Sequence, residues 1–438
     1  MVWTLTVKDL GPFKDASIEV KPLTIFIGRN SSGKSLLLRL MWALSTAEPD
    51  YVSQGKFLQE KLTEKGLTED RLKQLSQKDA NEVIKIFEEY VKLYAEALMI
   101  SILEGAKGKI REVLNDLKGT IRLSSRRVSI TVYLCNRKAE IVPGLEELLE
   151  VNFTGLEVNF KESDNIRLRL EALGFSSIRG ILRVRTGTRE MLDDLNSGLS
   201  SIFGSYFMPF FQNTILQPVN FLVDSRAGLL RYKHPTLLKV RDLSDVITKD
   251  FIYSYLALLE EFHKGEIEIS KDLFEELGFS LKVVDEGGFK VPYVQLWNGK
   301  VFPLSEAPSG VREALPMALA LNSKKSSVVY IEEPEAHLHP RAQRIVAKMI
   351  ANAVKKGKYV IITTHSEFLL YTLSDLVGLY RKDKEAGLDP NMVSAYLLKR
   401  GDKYTEVEKL TVDEYGISEE EFGKVAEEML DERGKIYD

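Results

Sequence analysis

Hydrophobic and polar residues alternate with a period of two at the start of the chain, through residues 4–7 and again through residues 16–20. A turn sequence, Gly11-Pro12, separates the two stretches, so the pattern predicts a two-stranded ribbon. Residues 22–27 then form a short, mainly apolar run that is typical of a buried parallel strand. From 36 to 44, apolar residues occur almost all round the helical period, which predicts a buried helix.

The patterning changes further along the chain. Charged, helical patterns prevail from about residue 50 to 120, whereas a period of two returns between about 121 and 185 and predicts antiparallel strands. The stretch from about 236 to 278 is mainly helical, and two strands follow around a turn at 286–288. In the last third, strands alternate with helices, which is typical of a parallel α/β arrangement. The elements predicted there are strand 328–331, helix 342–354, strand 359–363 and helix 367–373.

Length and composition limit the class of protein. The 438 residues exceed the usual size of a single hydrophobic core, so two lobes or domains are expected. A net charge of −4 provides no overall attraction to nucleic acid or to an anionic membrane. The one cysteine, Cys135, excludes an intrachain disulfide and a cysteine-based zinc site. The sequence contains neither a signal-peptide pattern nor an apolar stretch long enough for a bilayer, so a cytoplasmic protein without membrane insertion is expected.

A glycine-bounded loop follows the apolar run at 22–27 and precedes the buried helix. Gly28-x-x-x-x-Gly33-Lys34-Ser35 fits the Walker A pattern, in which backbone N–H groups point at phosphate oxygens. Lys34 would reach the β- and γ-phosphates of a nucleotide, and the Ser35 hydroxyl would bind Mg²⁺. A chance glycine-rich turn is the alternative, but the flanking strand and helix disfavour it. The predicted ATP-binding residues of this loop are Asn30, Ser31, Ser32, Gly33, Lys34 and Ser35.

Two carboxylates follow the apolar strand at 328–331. Glu332 and Glu333 would lie at the carboxyl end of a parallel strand, which is where ligands bind in open α/β sheets. Glu332 would then hold the Mg²⁺ coordination shell, and Glu333 would act as the general base for an attacking water. The alternative is a solvated acidic turn between a strand and a helix.

Two further motifs have weaker signals. His365 lies just beyond the buried strand at 359–363, where an imidazole is placed to reach a γ-phosphate, and a purely structural histidine is the alternative. Ser309-Gly310 stands at the start of an apolar helix, where it offers a hydroxyl and backbone N–H groups to an anion. A plain N-cap is the alternative there.

Taken in order, these four motifs resemble those of the ABC ATPase superfamily, and in particular of its SMC-like and OLD-like branch. The most specific part is residues 331–340, which read Ile-Glu-Glu-Pro-Glu-Ala-His-Leu-His-Pro. The resemblance makes Ser309-Gly310 the signature motif, although Val311 stands where many members have a second glycine. It makes His365 the switch histidine.

The resemblance covers residues 1–48 and 217–380. Within these residues, the sequence departs from the family's pattern in one region. No glutamine stands in residues 221–228, so Asp224 or Arg226 would have to substitute for the Q-loop residue. The fold implied is α/β: a P-loop NTPase head of the ABC type with an antiparallel β subdomain and an inserted helical lobe. The expected segments are 1–48 and 217–380 for the two parts of the head, 49–216 for an inserted helical and β region, and 381–438 for a C-terminal extension.

The resemblance also implies a mechanism and partners. In such heads ATP lies between the Walker A motif of one subunit and the signature motif of another. One copy of each implies a homodimer that forms on ATP binding, with ATP and Mg²⁺ as ligands. The implied function is ATP hydrolysis by a dimeric switch in DNA maintenance, repair or anti-phage defence. The segment after His365 lacks the length and the Asp-x-Asp pattern of a Toprim nuclease, so a nuclease or effector would be a separate chain.

Contact with DNA and two competing functions stay open. Several arginines occupy alternating positions of predicted strands, so one sheet face could be basic, and a solvated face balanced by nearby carboxylates is the alternative. The competing functions are the ATPase subunit of a membrane transporter and a non-hydrolysing ATP-dependent regulator. The long insertion after the Walker A motif argues against the transporter. The arginines considered for contact with DNA are Arg122, Arg126, Arg127, Arg167, Arg169, Arg183, Arg185 and Arg189.

Overall fold

The computed structural model divides into two compact units. The first comprises Met1–Trp42, Glu112–Val132 and Gln217–Asp438, and the second comprises Ala43–Arg111 and Tyr133–Leu216. The residues that the structure describes are 3–67, a discontinuous set from 89 to 113, strands between 129 and 185, 219–224, 226–231, 246–287 and 289–437. All of the candidate site residues belong to the first unit.

The described elements follow the predicted alternation of strands and helices. In chain order they begin with β1 (Trp3–Leu10), β2 (Phe13–Val20), β3 (Leu23–Gly28), α1 (Lys34–Ser45) and α2 (Tyr51–Glu64). Next come β4 (Ser129–Leu134), β5 (Arg137–Ile141), β6 (Leu156–Phe160), β7 (Asn165–Ala172), β8 (Ile178–Arg185) and β9 (Val219–Leu222). They continue with α3 (Arg226–Leu229), α4 (Val246–His263), α5 (Lys271–Leu277), β10 (Phe279–Glu286), β11 (Phe289–Leu296), β12 (Val301–Pro303) and α6 (Ser309–Asn322). The last are β13 (Val328–Glu332), α7 (Pro340–Lys355), β14 (Tyr359–Thr364), α8 (Glu367–Leu379), β15 (Val393–Arg400), β16 (Thr405–Lys409), β17 (Val412–Asp413), β18 (Gly416–Ile417) and α9 (Glu421–Tyr437).

The central sheet of the first unit is mixed, and its neighbouring strands follow the order β1-β2-β16-β15-β3-β14-β13-β9. β15, β3, β14, β13 and β9 are mutually parallel, whereas β1 with β2 and β15 with β16 are antiparallel. The predicted ribbon and the predicted buried parallel strands are therefore confirmed. Because parallel strands end at the same edge of a sheet, the loops after β3, β13 and β14 meet at one edge.

The helix after β3 is fixed to the sheet by an aromatic cluster. Phe221 of β9 stacks on Tyr330 of β13, with ring centroids 6.0 Å apart, and meets Trp42 of α1 edge to face at 6.1 Å. The Tyr330 hydroxyl donates a hydrogen bond to the Met41 carbonyl at 3.2 Å. Burial of these large rings stabilises the contact of α1 with β9 and β13.

The helices of the last third match their sequence patterns. α6 is buried along 311–321, in agreement with its apolar sequence, and it packs against β9 and β13. α7 buries one face, in which Ala342, Val346 and Ile350 follow the helical period, and it has Pro340 at its first position. Among the residues that the structure describes, no helix is both long enough and apolar enough to cross a bilayer.

The second unit contains the predicted helical and antiparallel parts. This unit contains α2 and the described helical residues between 89 and 110. β6, β7 and β8 form an antiparallel three-stranded sheet, close to the strands predicted at 156–160 and 166–170. The α/β fold class with an antiparallel β part and a helical insertion is thereby confirmed.

Candidate functional site

The loop at 28–35 joins β3 to α1 in a conformation that requires glycine at two positions. Gly28 and Gly33 have φ values of 139° and 96°, which L-residues adopt only with strain. A Cβ atom on Gly28 would lie 2.4 Å from the Leu398 carbonyl oxygen, and one on Gly33 would lie 2.5 Å from the Phe13 ring. The loop is therefore packed tightly between β15 and the turn before β2, with the N-terminus of α1 behind it.

Lys34 lies inside this loop. Its side chain is buried, and its ammonium group donates hydrogen bonds to the carbonyls of Gly28, at 2.9 Å, and Arg29, at 3.0 Å. Burial lowers the pKa of Lys34 to about 8, against the opposing effect of Glu333 and Glu335. The group therefore remains mainly protonated at neutral pH, next to backbone acceptors that an anionic phosphate can replace.

The other predicted residues of the loop differ in exposure. Asn30, Ser31 and Ser35 are exposed, whereas Ser32 is fully buried. The Ser32 hydroxyl has no hydrogen-bond partner within the described ranges. Ser35 lies in the first turn of α1, where free backbone N–H groups and the helix dipole favour an anion.

Glu332 ends β13 as a nearly inaccessible carboxylate, 1% exposed. Arg39 Nε lies 3.5 Å from its Oε1 atom, and the Ser35 hydroxyl also faces it. In the part of the chain that the structure describes, neither oxygen makes a hydrogen bond of ordinary geometry. Burial, and secondarily the charge of Asp224, raise the pKa of Glu332 against the effect of Arg39. A buried carboxylate without hydrogen bonds of ordinary geometry, next to a serine hydroxyl, provides oxygen ligands that fit Mg²⁺.

Glu333 and His365 face each other across the ends of β13 and β14. His365 Nε2 lies 3.7 Å from Glu333 Oε1, and both side chains are part-exposed, at 31% and 43%. Glu333 adopts a left-handed backbone conformation, with φ of 45°, and its N–H donates to the Thr363 carbonyl at 3.0 Å. Burial, and then the positive charge of Lys34, lower the pKa of His365, so the imidazole is neutral at pH 7.

Glu335 belongs to the site, although the sequence patterns gave it no role. Its carboxylate accepts hydrogen bonds from the His365 backbone N–H at 2.6 Å and from the Thr364 hydroxyl at 2.8 Å. Gln343 adds a second link, because its amide donates to the Leu338 carbonyl and accepts from the Ser366 hydroxyl. These contacts fix the start of the loop after β14. The sequence signal that could have identified Glu335 is its position three residues after Glu332, as the third carboxylate in the residues that follow this strand.

Ser309 and Gly310 form the first turn of α6. Pro308 occupies the N-cap position, so the interpretation of Ser309 as a plain N-cap is wrong. A Cβ atom on Gly310 would lie 3.0 Å from the His337 carbonyl oxygen, so this turn packs on the loop after β13. The described contacts do not join Ser309 or Gly310 to the loop at 28–35 of the same chain.

The two substitutes suggested for a Q-loop residue have different environments. Asp224 is exposed after β9. Arg226 is fully buried, and its guanidinium donates to the carbonyls of Val223 and Glu332, both at 2.7 Å. Arg226 therefore cannot reach a nucleotide, because its N–H groups already bind buried backbone acceptors, and the suggestion that it substitutes for the Q-loop residue is wrong.

Four of the eight arginines considered for DNA contact lie in described strands. Arg167 pairs with Arg183 across β7 and β8, and residues two apart on a strand lie on the same face. Arg167, Arg169, Arg183 and Arg185 therefore occupy register positions on one face. Carboxylate residues occur there too, since Glu157 pairs with Arg169. Outside the described residues lie Arg122, Arg126, Arg127 and Arg189.

Comparison with known proteins gives one family match. A family model described as AAA ATPase domain matches residues 1–370. Among curated proteins, no sequence matches the chain.

Remote similarity to solved structures is found with SMC heads. An SMC head bound to the C-winged helix domain of ScpA is 13% identical, with 94% of this chain and 98% of the other covered and a TM-score of 0.43. The SMC head domain from Thermotoga maritima is 10% identical, with coverages of 94% and 99% and a TM-score of 0.35. An SMC head with an extended coiled coil, bound to a ScpA domain derived from Pyrococcus furiosus, is 14% identical, with coverages of 98% and 99% and a TM-score of 0.38.

Proposed function

The chain belongs to the AAA ATPase domain family, and we propose that it is a Mg²⁺-dependent ATP hydrolase that works as an ATP-dependent homodimer. One observation carries this proposal. At a single sheet edge, buried Lys34 influences the pKa of His365, while His365 lies 3.7 Å from Glu333. A cation for phosphates, a carboxylate for water and an imidazole next to that carboxylate are groups that can serve phosphoryl transfer to water.

Each residue has a distinct role in the proposed reaction. The loop at 28–35 binds the phosphates through its N–H groups, and Lys34 exchanges the Gly28 and Arg29 carbonyls for phosphate oxygens. Ser35 and Glu332 would hold Mg²⁺, which neutralises phosphate charge when bound. Glu333 is part-exposed, and it accepts a proton from the attacking water. Neutral His365 orients the γ-phosphate or the water through its imidazole.

The second half of the site is proposed to come from another subunit. Ser309 and Gly310 present the N-terminus of α6, a fourteen-residue helix, and this end has no side-chain cap. Free N–H groups at a helix start bind anions. Since the described contacts leave this turn apart from the same chain's phosphate loop, we assign it to the nucleotide of a partner copy.

ATP turnover by the purified chain tests the enzymatic part. The wild type should hydrolyse ATP only with Mg²⁺, and Glu333→Gln should lower kcat by about two orders of magnitude because the proton acceptor is lost. Glu414→Gln changes an exposed carboxylate outside the site and should leave turnover unchanged. Absence of turnover in the wild type, with and without DNA, would support the non-hydrolysing regulator instead.

DNA contact is proposed through the arginine face of β7 and β8. The register puts Arg167 opposite Arg183, so the double variant Arg167→Glu/Arg183→Glu reverses two adjacent charges on one face. Filter binding of duplex DNA over a salt series should then show weaker binding and a salt dependence smaller by roughly one phosphate contact per arginine. Lys382→Glu/Lys384→Glu changes the net charge equally in an exposed loop and serves as control. Equal losses in both double variants would refute the assigned face.

A role in DNA maintenance, repair or anti-phage defence remains a proposal. We also propose that a nuclease or effector, if one takes part, is a separate chain. The division of the chain into four segments is a proposal as well.

A further inference from the structure

A buried ion pair lies behind the carboxylates at the end of β13. Arg226 of α3 and Glu313 of α6 are 0% and 1% exposed, and Arg226 Nε lies 2.7 Å from Glu313 Oε2. Glu313 also accepts a hydrogen bond from the Ala227 backbone N–H at 3.1 Å. Two fully buried charges cost considerable desolvation free energy, which apolar side chains of equal volume would avoid. The other contacts of Arg226 show what such a pair can position.

The guanidinium of Arg226 binds the backbone of both site carboxylates. It donates to the Glu332 carbonyl at 2.7 Å and to the Glu333 carbonyl at 3.0 Å. A planar guanidinium with several fixed N–H donors can hold two consecutive carbonyls in one orientation. Glu333 has a left-handed φ of 45°, a strained conformation that persists only where its surroundings impose it. Arg226 supplies part of that constraint from the side away from solvent.

Glu313 belongs to the same helix as the proposed signature turn. It lies four residues after Ser309, about one helical turn, within the buried part of α6. Gly310, in the same turn as Ser309, packs on the His337 carbonyl of the loop after β13. Ser309, Gly310 and Glu313 lie within the first five residues of α6, so a rigid-body shift of this part of the helix would displace Glu313 and the guanidinium that it binds.

We propose that Arg226 and Glu313 are positioning residues that couple the first turn of α6 to the carboxylates at the end of β13. Contact of Ser309 and Gly310 with the nucleotide of a second subunit thereby sets the orientation of Glu333 in the same chain. Each subunit is made competent to hydrolyse its own ATP when it engages that of its partner. This inference rests on the proposed function.

Two substitutions separate positioning from nucleotide binding. Glu313→Gln keeps the size of the side chain and an acceptor for the Ala227 N–H but removes the charge that faces Arg226. Arg226→Lys keeps a cation but loses the planar donor group. Both should lower kcat by about tenfold to a hundredfold, since small displacements of reacting groups have effects of this size. ATP affinity by calorimetry and the ATP-dependent dimer by sedimentation should stay within about twofold, because the phosphate loop and the α6 turn are intact.

Glu261→Gln is the matched control. Glu261 is a buried carboxylate in α4 that accepts a hydrogen bond from the Ser323 hydroxyl at 2.7 Å, at the other end of α6. This variant should lower Tm as Glu313→Gln does but keep kcat within about twofold of the wild type. All rates are measured below the lowest Tm. Equal kcat losses in Glu261→Gln and Glu313→Gln, or no loss in Glu313→Gln, would overturn the coupling.

Hydrogen exchange of the wild type gives a readout that needs no substitution. The Ala227 amide donates to Glu313, so coupling predicts slower exchange of this amide in the ATP-bound dimer than in the nucleotide-free protein. Unchanged exchange would count against the coupling even if the variants fail to fold. A wild type without ATP turnover would instead refute the proposed function, and the coupling with it.

Discussion

At the scale of single residues, the charge of Lys34 reaches the other groups of the site. Glu333 and Glu335 oppose the lowering of its pKa by burial, and its own charge helps to lower the pKa of His365. Lys34 therefore interacts electrostatically with side chains of the two loops that follow β13 and β14. A neutral imidazole beside a protonated lysine is the state that this arrangement favours at pH 7.

Removal of that charge should change the titration of His365. In Lys34→Met, the pKa of His365 should rise, because a positive charge no longer disfavours the imidazolium, yet it should stay below its ordinary value because burial is the larger cause. NMR titration of the imidazole measures the change. Lys358→Met is the control, since Lys358 is another buried lysine whose pKa is lowered to about 8 but which binds the Ser323 and Ser326 carbonyls. A His365 pKa that stays the same in Lys34→Met would contradict the proximity of the two groups.

At the scale of elements, the site is made by the ends of three parallel strands. β3 leads into the phosphate loop, β13 ends at Glu332, and β14 leads to His365. The neighbouring β15 pairs with β3 up to Leu398 opposite Gly28, so the loop begins where two strands are held together. A change at this junction should affect both the sheet and the nucleotide site.

Gly28→Ala tests this junction. An alanine there would adopt a φ of 139° and place its Cβ 2.4 Å from the Leu398 carbonyl oxygen, so the loop or β15 must move. The free energy of unfolding should fall by about 1–3 kcal/mol, and ATP affinity should be lost with the loop geometry. Gly228→Ala, where a Cβ atom meets nothing within 4 Å, should change neither measurement appreciably. Denaturant unfolding and calorimetry provide both values, and normal ATP binding by Gly28→Ala would argue against the role of this loop.

At the scale of the whole molecule, the proposed active form contains two copies of the chain. Ligands that bind only the dimer stabilise it by mass action, and hydrolysis removes that stabilisation. Glu333→Gln should therefore sediment as a dimer with ATP and Mg²⁺ and as a monomer without nucleotide. Adding Ser309→Arg should abolish the dimer because the long side chain blocks close contact of the first turn of α6 with a phosphate, whereas Ser280→Arg, at an exposed position of β10, should not. A monomer under all of these conditions would refute the two-subunit site.

The amino-acid sequence by itself determined the phosphate loop and the order of the elements around it. The spacing of Gly28, Gly33, Lys34 and Ser35 is a local property, because a short loop between a strand and a helix leaves few alternative conformations. The apolar runs before Glu332 and before His365 likewise identified two parallel strands, since strands buried on both faces contain continuous apolar residues. Parallel strands end at one edge, so these motifs were expected to meet there.

Only the tertiary structure decided which distant groups complete the site. β15, in the segment expected from the sequence to be a C-terminal extension, lies next to β3, and strand pairing across such a separation has no local signature. The same holds for Glu335 with the His365 N–H and for Arg226 with Glu313, because the partner of a buried polar group is set by packing and not by periodicity. The chain therefore specifies its phosphate loop locally, whereas the contacts proposed to position the carboxylates form only when the sheet and α6 come together.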